Sequence, residues 1–91
     1  MEVVVKRKTD RELVLQIKGE GHTLGNLLAK EAMNNQHVVF ASYRVPHPLQ
    51  DVMELIIEVE EGYPLDKALI EIVEELRSRI VEFRRLVEEK L

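Results

Sequence analysis

The stretch Arg11–Met33, RELVLQIKGEGHTLGNLLAKEAM, changes its hydrophobic period midway, and that change decides the fold. Over Arg11–Lys18, Leu13, Leu15 and Ile17 alternate with Glu12, Gln16 and Lys18, the period of a strand with one wet face. From Thr23 the spacing becomes three and four. Leu24, Leu27, Leu28 and Ala32 form a helical stripe, with Lys30 and Glu31 off it, and Asn34-Asn35 suits the helix end. Between the two periods lies GEGHTLGN, residues 19–26, a glycine-rich junction that a phosphate could in principle occupy.

Working outward, Glu2–Lys8 (EVVVKRK) predicts a strand, and Thr9-Asp10 a tight turn that makes a hairpin with the strand after it. Downstream, His37–Val45 (HVVFASYRV) is β-branched and aromatic, and Val52–Val59 alternates again. Pro46-His47-Pro48 divides the two, because prolines without N–H groups mark a turn or an edge. Pro64 fits a first helical turn, and Leu65–Leu91 reads as one long helix. The expected architecture is a single α+β domain over residues 1–91, in the order ββαββα. Its four-stranded antiparallel sheet carries two helices on one face.

The last helix is too long for its domain. Twenty-seven residues make a rod of roughly 40 Å, whereas a compact chain of this length has a diameter of roughly 30 Å. Its stripe nevertheless stays apolar to the end through Leu65, Ala68, Leu69, Ile72, Val73, Leu76, Ile80, Phe83, Leu86, Val87 and Leu91. Ile70 and Val81 add apolar surface on the opposite side, and Glu75 and Arg79 form an i,i+4 pair on the wet face. An overhang with a bare apolar stripe predicts a helix-mediated partner contact.

Composition narrows the chemistry. The net charge of −4 argues against direct contact with DNA or RNA, which requires a basic surface. No cysteine is present, and His22, His37 and His47 lie in separate connections, so neither a zinc site nor a thiolate site is expected. The chain has no run of eighteen apolar residues and no basic start before an apolar stretch, and is expected to be cytoplasmic, with no membrane contact. The glycines of the junction do not fit a dinucleotide fingerprint. A hairpin precedes them instead of a parallel βαβ unit, the spacing is wrong, and Glu20 would repel phosphate. The junction is better read as structure. Thr23 is the expected N-cap, Gly21 the residue with an unusual backbone angle, and Gly25 the point where another backbone comes close. A small enzyme or ligand-binding domain using His22 is the rival reading, and no cofactor is expected.

GHTLGNLL, a short helix and then VVFASYRVPHPL closely resemble the family of archaeal DNA-directed RNA polymerase subunit L. That family is similar in fold to the amino-terminal domain of the bacterial alpha subunit. The resemblance covers nearly the whole chain. It rests on His22, Thr23, Leu24, Gly25 and Asn26, with Val38, Phe40, Tyr43 and Pro46-His47-Pro48 at the family's distance. Many members carry an acid directly before the histidine, where this chain has Gly21, with Glu20 one place earlier. The resemblance implies a non-catalytic assembly subunit of the polymerase, a nucleotidyltransferase whose magnesium and nucleotide sites lie in the large subunits. It further implies a heterodimer, made through the two helices, with the larger alpha-like polymerase subunit, called D in archaea. On that pair the other subunits assemble. Leu24, Leu27 and Leu28 of the first helix and Leu76, Ile80, Phe83 and Val87 of the last are the expected interface. A homodimer is the alternative for the isolated chain.

Overall fold

A computed structural model describes residues 1–91. The element order is β1 (Glu2–Lys8), β2 (Glu12–Lys18), α1 (His22–Met33), β3 (Val38–Arg44), β4 (Val52–Val59) and α2 (Leu65–Lys90). The strands form one antiparallel sheet in the order β1-β2-β4-β3. The chain therefore leaves β2, crosses the sheet through α1 to the far edge as β3, and returns in β4 between β2 and β3.

Register explains the two faces. Leu13 pairs with Ile57, Leu15 with Leu55 and Ile17 with Met53, so the inward residues of the two central strands lie side by side beneath the helices. Met53, Leu55, Ile57, Val59 and Ile72 are essentially sealed from solvent. Leu28 and Ala32 of α1 and Leu65, Ala68 and Ile72 of α2 close this core from above. The other sheet face is half wet and laced by cross-strand pairs, among them Lys18–Glu2 and Arg44–Glu54. Truncating a sealed residue such as Leu55 to Ala should cost about 2–5 kcal/mol.

Neither phenylalanine is in the core: Phe40 is 48% and Phe83 68% exposed. The core is thus aliphatic, and the radius of gyration is 14.3 Å against about 12 Å for a compact chain of this length. The excess comes from α2, whose 26 residues span roughly 39 Å. No residue of α2 beyond Ile72 is buried, so the helix does outrun its domain. No helix is long and apolar enough to cross a membrane.

The candidate interface and its junction

The junction GEGHTLGN departs from expectation in three places. Thr23 does not cap α1. The helix begins at His22, its N-cap is Gly21, and no side chain bonds the free N–H groups there. Thr23 instead lies inside the first turn, exposed. The residue with left-handed backbone is Gly19, at φ 87, and not Gly21, whose φ is −138. Gly19 follows the last residue of β2 and donates its N–H to the carbonyl of Asp51 at 2.6 Å, so the turn out of the strand needs the glycine. Gly25 is a site of close approach, but to a side chain. A Cβ there would fall 2.5 Å from Cδ2 and 2.7 Å from Cγ of Tyr43, with Met53 Cγ at 3.1 Å.

Tyr43 is thereby wedged between α1 and the sheet, and His22 finishes the joint. Its Nδ1 lies 3.2 Å from the Tyr43 hydroxyl, and the rings meet edge to face. The contact ties the β3 tyrosine to the first residue of α1. Asn26 is exposed, as are Pro46, His47 and Pro48, which form the β3–β4 connection with Gln50 N–H donating to the carbonyl of His47.

The far end of α1 is held by polar groups. Tyr63 donates its hydroxyl hydrogen to the Glu71 carboxylate at 2.8 Å, and Asn35 Nδ2 donates to it at 3.2 Å. These two hydrogen bonds hold the Glu71 carboxyl below its ordinary range. Burial, then the same hydrogen bond and charge at Glu71, raises the Tyr63 phenol. His37 stacks on Tyr63 at 3.6 Å and donates Nδ1–H to Glu60 at 2.7 Å. No group of three or more His, Asp or Glu residues is placed to hold a metal ion.

The expected contact residues divide by burial. Leu28 is 8% exposed and belongs to the chain's own core. Leu24 and Leu76 are half-buried and pack against that core, and Val87 is half-buried on the overhang. Leu27, Ile80 and Phe83 are open, at 45%, 58% and 68%. Burial therefore divides the stripe into residues packed on the chain's own core and residues open to solvent. A groove of about 370 Å³ between the helices is lined by Leu27, Leu76, Ile80 and Phe83 together with Lys30, Glu31, Asn34 and Arg79, and Phe83, Leu86, Val87, Lys90 and Leu91 line a second hollow along the tail. Leu86, at 41%, and Val73, at 45%, extend the open surface beyond the expected set.

Glu31, expected off the α1 stripe, is nonetheless only 6% exposed, with Arg79 Nε donating to its carboxylate at 2.8 Å. Arg79 also approaches Glu75 at 3.6 Å. The intrahelical pair is present, but Arg79's main bond crosses to α1. Periodicity alone misses this because the two residues are 48 positions apart in sequence.

A sheet backing two helices, the longer running on with its apolar side bare, is the architecture of this chain. The sequence profile of the RNA polymerase Rpb3/Rpb11 dimerisation domain matches residues 12–86, and the chain belongs to that family. DNA-directed RNA polymerase subunit Rpo11 of Sulfurisphaera tokodaii is 38% identical over 93 residues, 99% of this chain and 100% of the relative. The corresponding subunit of Metallosphaera sedula is 45% identical over 60 residues, covering 66% of this chain and 64% of its own. DNA-directed RNA polymerase subunit L from Thermoplasma acidophilum shares the fold. Its crystal structure matches with a TM-score of 0.82 over 98% of this chain and 87% of that one, at 20% identity.

Proposed function

We propose that this chain is the small alpha-like assembly subunit of an archaeal RNA polymerase, working in the cytoplasm as a heterodimer. Its partner would be the larger alpha-like subunit, the one called D in archaea. The observation that carries the reading is the uncovered stripe. Ile80, Phe83 and Leu86 are each at least 41% exposed on a helix that has left its own domain. Burying such a side chain from full exposure is worth about 1.5–3 kcal/mol, and each of the three would gain the share that its exposed fraction represents. A partner of the same fold would lay its own two helices against Leu27, Ile80 and Phe83. The pair would then form a platform for the large catalytic subunits. This chain's contribution to nucleotidyl transfer is to hold those subunits, and it supplies no reacting group.

The test is what the native protein carries with it. Tagged in its source organism and purified gently, it should bring down a full set of polymerase subunits, with the larger alpha-like subunit surviving the harshest wash. Recovery of a small phosphorylated ligand and no polymerase subunit would support the enzyme reading instead.

A further inference from the structure

The overhang of α2 is useful to a partner only if it points in one direction, and apolar packing on the sheet fixes only its first turns, where Leu65, Ala68 and Ile72 are buried. Two polar anchors tie α2 to α1 and to the turn that follows it. Asn35 donates to Glu71 near the start of α2, and Arg79 donates to Glu31 eight residues further on, roughly 12 Å along the axis. One anchor makes a pivot, whereas two make a bearing. Beyond Arg79 the side-chain bonds of α2 are internal, Arg84 to Glu88 and Arg85 to Glu89. We propose that Glu31 and Arg79 are positioning residues that aim the pairing helix, an inference that rests on the heterodimer reading above.

Leverage makes the outer anchor matter. From Arg79 to Lys90 the helix runs about 17 Å, so a tilt of about 10° would displace its tip by about 3 Å. That is enough to take side-chain ridges out of a partner's grooves. The burial of the two residues is unequal: the Glu31 side chain is 6% exposed and that of Arg79 57%. Removing the arginine would strand a buried carboxylate and unsettle the fold. Removing the glutamate leaves a guanidinium in water beside Glu75, and replacing a buried carboxylate by an apolar side chain of similar volume is often neutral or stabilising. Glu31→Met therefore separates aim from stability.

The chain has no cysteine of its own, so nitroxide labels at Thr23→Cys and Lys90→Cys report the angle between α1 and the tail. They would be read by pulsed electron spin resonance with labelled chain diluted in unlabelled chain. Glu31→Met is expected to keep or raise the melting temperature while broadening the distance distribution. It is expected to weaken pairing with the larger alpha-like subunit about tenfold, the loss of one charge-assisted bond. Glu31→Gln keeps an acceptor for Arg79 and should recover part of both. A wild-type distance distribution and wild-type affinity in Glu31→Met would overturn the proposal. Should the unaltered chain not pair at all, the heterodimer reading falls, and the distance distribution still decides the positioning role.

Discussion

Replacing Gly25 by alanine sets two effects of opposite sign against each other. Gly25 lies inside α1, where alanine is favoured over glycine by about 0.8–1.0 kcal/mol. If helix propensity were all that mattered, Gly25→Ala would stabilise the chain. The new Cβ, however, would lie 2.5 and 2.7 Å from two ring carbons of Tyr43. Relieving such overlap in a packed region costs about 1–3 kcal/mol. The ring cannot slide away freely, because its hydroxyl is held by His22 at 3.2 Å. The overlap is deep enough to place the cost at the upper end of that range, leaving a net loss of about 1–2 kcal/mol. For a domain of this size that corresponds to a fall of about 5–10 °C in melting temperature, readable by far-ultraviolet circular dichroism. With the ring removed by Tyr43→Ala, the same Gly25→Ala change should become neutral or stabilising. An unchanged or higher melting temperature for Gly25→Ala in the native background would refute the wedge.

Three further outcomes follow from the same structure. Thr23→Ala should leave stability within about 0.5 kcal/mol of wild type in chemical denaturation, whereas loss of a true N-cap would cost about 1 kcal/mol. The Glu71 carboxyl is held down by its bonds from Tyr63 and Asn35, so its stabilisation is complete above its unfolded value, 4.5, and is lost as pH falls through the lower native value. Tyr63→Phe should shrink that acid-side loss in melting curves taken across pH, and an unaltered acid limb would contradict the assignment. Phe83→Ser should leave the folding of the isolated chain almost unchanged, because the side chain is 68% exposed, and a large drop in its melting temperature would show that the overhang folds back.

Much of the fold is legible in the sequence because two periods are hard to confuse. Leu13, Leu15 and Ile17, and Met53, Leu55, Ile57 and Val59, announce half-buried strands, and the buried set repeats them residue for residue. The overhang follows from length alone. What local pattern does not give is anything settled by a distant neighbour. β4 lies between β2 and β3 because the chain crosses the sheet through α1 before returning. Gly25 faces a tyrosine eighteen positions away, and Glu31 is sealed by an arginine on another helix. A polar residue beside a stripe reads as wet until its partner is known. The cap fails for a related reason: a Thr at a helix start is a frequent solution, but here the helix is entered two residues earlier, at glycine.

The central claim, that the bare stripe of α2 is a pairing surface, is tested most directly by mixing this chain with the larger alpha-like subunit. The mass and affinity of the complex would be measured by sedimentation, for wild type and for Ile80→Asp/Phe83→Asp. Both residues are more than half exposed, so the variant should fold as well as wild type. It should nevertheless fail to pair, because carboxylates buried at an interface without partners cost several kcal/mol. A folded variant that forms the one-to-one complex with undiminished affinity would contradict the account.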